Sequence, residues 1–306
     1  MTPALSLAHS PCPNDTFVFH AWTHGLVPGA PPVTVTFADV DVTNGAAERG
    51  EYDVVKVSYA ALPWLLNEYA LLPAGGALGR GCGPLVLTPA GAGRAGRAGR
   101  TGRAGPGSLA GASVAVPGDR TTAYLLFRLW SADAPPARVE VVPFPQIMPA
   151  VRDGRYDAGL VIHEARFTYP QYGLECLVDL GAWWEQDTGL PIPLGAILAR
   201  RTLDQPTRWP GRPAGPAAPG PAGGGTAELT EVIRASVRHA WANPDDSVAY
   251  VAAHAAELDP AVQRAHIELY VNEFTADLGE EGYAAAGTLL GRAAAAGLTP
   301  PCPPLR

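Results

Sequence analysis

Short apolar runs that each give way to a polar loop and then a helix constrain this chain more than any other feature. Ala4–His9 breaks at Ser10-Pro11-Cys12-Pro13-Asn14-Asp15, ahead of a helix expected over Thr16–Leu26. Ala112–Val116 breaks at residues 117–122, ahead of Ala123–Trp130. Val33–Val40, Tyr52–Tyr59, Gly83–Thr88, Val139–Phe144 and Ile192–Leu198 are further strand candidates, several with short helices behind them. Alternation of this kind builds parallel sheets covered by helices. The period recurs after residues 89–107, so a second α/β unit is expected.

The stretch Ala158–Tyr169, AGLVIHEARFTY, carries the chemistry. An apolar run of this type reads as a buried strand of a parallel sheet. In open α/β sheets ligands bind just beyond the C-terminal ends of such strands, which is where His163 falls, followed by Glu164 and Arg166. The competing reading of His163 is a core histidine bonded to a backbone carbonyl.

Two more groups stand out. Lys56 is the only lysine beside 21 arginines. A compact ammonium and a planar guanidinium are not interchangeable, and Lys56 sits among valines in an expected strand. Strand period two puts it on one face with Ser58. It suits a carboxylate; a Schiff base is the bolder alternative. Thr121 and Thr122 stand at a helix N-terminus, where hydroxyls and free amides bind anions, or where one of them is simply the cap. Ser10 and Asn14, in the loop after the first strand, could present polar groups to the same ligand, with Asn14 or Asp15 also available as a cap.

Composition narrows the function classes. The 306 residues are 47% hydrophobic and 17% charged, with a net charge of −7. That balance describes a globular protein with a sizeable core and opposes nucleic acid as partner, since backbone binding needs clustered cations. Cys12, Cys82, Cys176 and Cys302 match no metal or redox spacing. The N-terminus lacks the basic and apolar regions of a signal peptide, and no run approaches the ~18 apolar residues of a membrane span. A soluble, cytoplasmic protein that acts on a small molecule is expected.

Residues 89–107, with four regularly spaced arginines, and the Pro- and Gly-rich 204–225 read as flexible insertions. Trp183 and Trp184 read as a wall for a flat ligand or as hinge packing. Four helices are expected at the end: Ala227–Asn243, Ser247–Glu257, Asp259–Phe274 and Gly279–Ala296. In the third, Ile267, Tyr270, Val271 and Phe274 form a stripe that reads as core, and His266 and Glu268 read as solvated.

SPCPNDTFVFHA (10–21), YDVVKVSYAALP (52–63), GLVIHEARFTYPQYGL (159–174) and YVNEFTADLGEEG (270–282) together resemble the 1,4-dihydroxy-6-naphthoate synthase family of the futalosine route to menaquinone. The likeness spans nearly the whole chain outside the two insertions. It implies a two-lobed, type II periplasmic-binding-protein-like α/β fold with two crossovers and an interlobe cleft. The first lobe would hold residues 1–88, with crossovers near 88–108 and 190–194, a second lobe over 110–191, and a return to the first lobe over 192–306. It also implies a cofactor-free carbon–carbon lyase that converts cyclic dehypoxanthine futalosine to 1,4-dihydroxy-6-naphthoate and releases a three-carbon fragment. The family's base matches His163, and its substrate contacts match Lys56, Val57 and Ser58 and the pair Thr121 and Thr122. A histidine near its ordinary pKa of 6.5 suits that task. Glu164 and Arg166 are left as structural partners. The alternatives are a small-carboxylate-binding protein without chemistry, since fold alone does not fix function, and a chorismate dehydratase-like lyase on the same scaffold.

Overall fold

The computed structural model describes residues 4–91, 105–205, 225–256 and 258–306. The insertions expected over 89–107 and 204–225 fall largely outside them. Ten strands form two five-stranded sheets. The strands are β1 (Leu5–His9), β2 (Val33–Phe37), β3 (Val54–Ser58), β4 (Tyr69–Gly79), β5 (Leu85–Pro89), β6 (Ser113–Val116), β7 (Arg138–Val141), β8 (Ala158–Val161), β9 (Leu174–Asp179) and β10 (Ile192–Arg200).

The sheets share one plan. The first has the order β2-β1-β3-β10-β4 and the second β7-β6-β8-β5-β9. In each, one strand runs antiparallel to its neighbours: β10 between β3 and β4, and β5 between β8 and β9. The remaining pairings are parallel. Each antiparallel strand is the first after the chain passes from one sheet to the other. The sheets are therefore mixed, where strand–helix alternation alone implied parallel ones.

Topology moves the lobe boundaries. The first lobe closes at Gly79, not at residue 88, because β5 hydrogen-bonds β8 and β9 and so opens the second lobe. The crossings run over 80–84 and 189–191, and the arginine-rich insertion leaves β5 within the second lobe instead of lying on a crossover. The expected boundary missed β4, whose YALLPAGGALG sequence contains Pro73 and three glycines that argue against a strand. Its place at the sheet edge tolerates the proline. Gly76 is required there, since a Cβ would stand 2.8 Å from the Gly195 carbonyl oxygen on β10.

Both sheets are packed on apolar side chains. Leu7, Val54, Ile197 and Phe19 anchor one core cluster, and Leu87, Ala115, Ile147 and Val161 another. The C-terminal helices Gly225–Ala242, Val248–His254, Pro260–Tyr270 and Gly279–Ala295 follow the expected order. Trp184 is fully buried, its indole N–H donating to the Pro191 carbonyl at 3.0 Å, so Trp184 is hinge packing. Among the described residues no helix is long and apolar enough to cross a membrane.

Candidate active site

The C-terminal ends of β1, β3 and β8 converge on a cleft between the lobes, lined by Ser10, Asn14, Asp15, Lys56, Ser58, Thr121, Thr122, His163, His266 and Tyr270. Its volume is about 70 Å³, less than half of the ~150 Å³ cavity that admits benzene. Val40, Ala77, Ile162 and Leu194 give the rest of the wall an apolar character, which strengthens polar interactions inside it.

From the first lobe, β1 ends at His9 and the chain turns through Ser10–Cys12 into a helix, Pro13–Thr23, with a proline in its first turn. Asn14 and Asp15 lie in that turn, but neither caps the helix. Asp15 is instead the centre of a network. It accepts from the Ser10 hydroxyl at 2.7 Å and from the Asn14 amide at 2.9 Å, and it is ion-paired with Lys56. Burial would push its carboxyl up, yet the Lys56 charge and the hydrogen bonds from Lys56 and Ser10 hold it below the usual carboxylate range. Lys56 thus enters the cleft already neutralised by a buried partner, and a Schiff-base lysine finds no support here. Asp15 went unnoticed as a site residue because Pro13-Asn14-Asp15 reads locally as a helix start.

Ser58 follows Lys56 on the same face of β3. Its N–H donates to Asn44 Oδ1 at 2.8 Å, and its hydroxyl accepts from Asn44 Nδ2 at 3.2 Å. Val57 points the other way, with no exposed surface, into the core. Strand alternation therefore keeps its side chain out of the cleft, a correction to the expected Lys56–Val57–Ser58 contact set.

From the second lobe, Thr121 is the N-cap of helix Thr122–Trp130, accepting from the Tyr124 N–H at 3.2 Å. Thr122 ties the lobes together. Its hydroxyl donates to the Leu194 carbonyl at 2.8 Å and accepts from the Ala60 N–H at 3.2 Å. Both threonines also face the cleft, at the helix end where unpaired amides favour an anion.

His163 lies two residues past β8, in the turn before the short helix Ala165–Thr168. Its φ is +53°, the only positive φ of a non-glycine among the described residues. Such strain persists where the surroundings over-determine it, and it concentrates at functional sites. The Phe144 ring stands edge-on to the imidazole at 5.5 Å. Burial, reinforced by the Lys56 charge and opposed by Asp15, pushes its pKa down to about 4. The imidazole is therefore neutral at physiological pH, well below the ordinary histidine pKa that the sequence suggested. Arg166 is structural, paired with Asp179 at 2.5 Å and donating to the Gly83 carbonyl.

His266 is the largest departure from expectation. It is 1% exposed, lines the cleft and donates toward Asn14 Oδ1 at 3.0 Å. Its ring lies 6.4 Å from that of His163, with planes 19° apart. Tyr270, one turn on, lines the cleft as well. On the sequence His266 was one polar residue in an amphipathic helix; only the packing of that helix against Pro13–Thr23 brings it inward. Cys12 Sγ, a His163 nitrogen and a Glu164 oxygen lie within 4.8 Å of one another and could hold a divalent cation. Burial keeps the Cys12 thiol protonated, so a cation would have to displace that proton.

Two α/β lobes, chain crossings between them and a polar cleft with a histidine on its wall define a periplasmic-binding-protein-like protein adapted to act on a small molecule. The chain belongs to the menaquinone biosynthesis family, whose model matches residues 5–295. Two similar relatives are both named 1,4-dihydroxy-6-naphthoate synthase. The Streptomyces coelicolor protein is 58% identical over 97% of this chain and 95% of its own. The Thermus thermophilus protein is 44% identical over 98% and 97%. This chain is accordingly an enzyme of menaquinone biosynthesis. Among solved structures, a protein of Archaeoglobus fulgidus has a TM-score of 0.80 at 32% identity, covering 96% of this chain and 98% of its own. The alkanesulfonate-binding protein of Xanthomonas axonopodis pv. citri has a TM-score of 0.67 at 16% identity, with 100% and 97% covered, a likeness of fold alone.

Proposed function

We propose that this chain is a lyase that converts cyclic dehypoxanthine futalosine to 1,4-dihydroxy-6-naphthoate with release of a three-carbon fragment, and that His163 is its general base. The observation that carries the assignment of the base is the position of the His163 imidazole on the cleft wall, held in a strained backbone turn at a strand end. Burial keeps its nitrogen lone pair unprotonated at neutral pH, and by the same effect makes it a weaker base than an ordinary imidazole.

In this reading His163 removes a proton close to a substrate carbonyl, the carbon–carbon bond to the three-carbon fragment breaks, and formation of the aromatic ring drives the reaction forward. Ser58 and the amides at the start of helix Thr122–Trp130 take the substrate carboxylate, with Thr121 and Thr122 shaping that end of the cleft while their hydroxyls donate to the Gly118 and Leu194 carbonyls, and with Lys56 supplying positive charge that Asp15 already offsets. Ser10 and Asn14 act through Asp15, holding the ion pair in place. Closure of the lobes excludes water from the intermediate. The reaction runs in the cytoplasm, in keeping with four cysteines that are all unpaired.

Purified protein incubated with cyclic dehypoxanthine futalosine and analysed by chromatography tests the reading. Naphthoate from wild type, and less by a factor of about 10² or more from His163→Asn, supports it. Binding without product points to a carrier, and conversion of chorismate to a dehydrated product points to the other lyase on this scaffold.

A further inference from the structure

The hydrogen bonds around Asn14 settle the proton inventory of His266. The Asp15 carboxylate is an acceptor only, so the Asn14 group facing it at 2.9 Å is the NH2. Asn14 Oδ1 therefore faces His266 Nε2 at 3.0 Å, and a carbonyl oxygen requires Nε2 to carry the hydrogen. Burial, the neighbouring His163 and Lys56 all disfavour the imidazolium. Nδ1 is then a bare lone pair. It is buried and has no hydrogen-bond partner among the described residues.

His9 shows the contrast. Its Nδ1 donates to the Ser10 carbonyl at 2.7 Å, and its bare Nε2 has no hydrogen-bond partner among the described residues either. That ring packs between Phe19 and Phe37 and is absent from the cleft wall. His266 is on the wall, beside His163.

We infer that His266 is a substrate-binding residue: with its tautomer locked by Asn14, it presents Nδ1 as the acceptor for a substrate hydroxyl next to the base. The inference rests on the proposed reaction for the identity of the hydroxyl donor. A neutral imidazole with Nε2 committed can recognise an O–H or N–H and nothing anionic, which complements the carboxylate-binding end at Thr121 and Thr122.

Two isosteres separate the ring nitrogens. His266→Gln keeps an N–H near Nε2 for Asn14 and removes the Nδ1 acceptor. His266→Asn keeps an oxygen near Nδ1 and loses the Asn14 bond. With cyclic dehypoxanthine futalosine, His266→Gln is expected to raise KM at least tenfold with a melting temperature near wild type, and His266→Asn to recover part of that loss. An unchanged KM for His266→Gln overturns the inference. Nitrogen-15 NMR of histidine-labelled wild type supplies a substrate-free readout: Nδ1 unprotonated and Nε2 protonated at pH 7 supports it, and the opposite tautomer overturns it. Wild type that makes no naphthoate overturns the proposed reaction instead, and the NMR result then decides for or against His266 as an acceptor.

Discussion

Lys56 and Asp15 form an ion pair inside the interlobe cleft, with only 7% and 1% of their surfaces exposed. Breaking a buried pair from one side strands a charge, at a cost of about 3–5 kcal/mol, whereas replacing both partners with apolar groups is often near neutral. Lys56→Met is therefore expected to lower the urea midpoint sharply, and Lys56→Met with Asp15→Leu to lower it by much less than the sum of the two single changes. Equilibrium urea unfolding of the three variants checks this; additive losses would mean that the pair is open in solution.

His163→Asn is the cleaner test of the base. Asparagine is among the non-glycine residues that best tolerate a positive φ, so the +53° turn survives while the imidazole is lost. Turnover should fall by a factor of about 10² to 10⁴, the usual worth of general base catalysis, with KM within about tenfold of wild type. Because the base works deprotonated and its pKa is about 4, wild-type kcat/KM should stay level from pH 8 to about pH 5 and decline only as pH approaches 4. An acidic limb centred near 6.5 would show that His163 is more solvated than the closed cleft allows.

How much of this was legible in the sequence depends on whether a local pattern carried the signal. The β8 run and the position of His163 just beyond it were legible, because a buried strand needs four apolar residues in a row and a sheet binds ligands at its strand ends. The lobe boundary was not, because Tyr69–Gly79 is an edge strand built from glycines and a proline, stabilised by pairing with β10 over more than a hundred residues of separation. Val57 could have been excluded by strand alternation alone. Asp15 and His266 could not have been found locally: one becomes functional through Lys56, 41 positions away, and the other through Asn14, 252 positions away.

Burial of neutral histidines predicts an acid-sensitive fold. His9, His163 and His266 all have pKa values lowered by burial, so each folded imidazole refuses a proton that the unfolded one accepts below about pH 6.5. Stability is then full above that pH and falls below it, by about 1.4 kcal/mol per pH unit for each group until the folded pKa is reached. Asp15, whose pKa is lowered, weakens the fold only below its ordinary value of 3.8. Unfolding free energies measured from pH 7.5 to 5 should fall in this sense, and His9→Gln should lessen the fall; a flat profile would mean that these rings take up protons in the native state.

Gly195 on β10 leaves the space that Lys56 occupies. A Cβ there would stand 2.8 Å from Lys56 Cε and 3.7 Å from its Nζ. Real Cβ atoms do not approach so closely, so Gly195→Ala must displace the lysine stem. The backbone is not the obstacle, since Gly195 is absent from the glycines with positive φ and pairs in register with Ser58. The displaced ammonium would draw away from Asp15, whose carboxyl would then rise toward the protonated form under the burial that already opposes its charge. Gly195→Ala is thus expected to reproduce much of the Lys56→Met stability loss through a methyl group alone. In Lys56→Met the same added methyl meets a neutral side chain with no buried ion pair to break, so a double-mutant cycle should show coupling of about 1 kcal/mol or more, within the range for residues in contact. Strict additivity would show that β10 shifts to accommodate the methyl and leaves the ion pair intact.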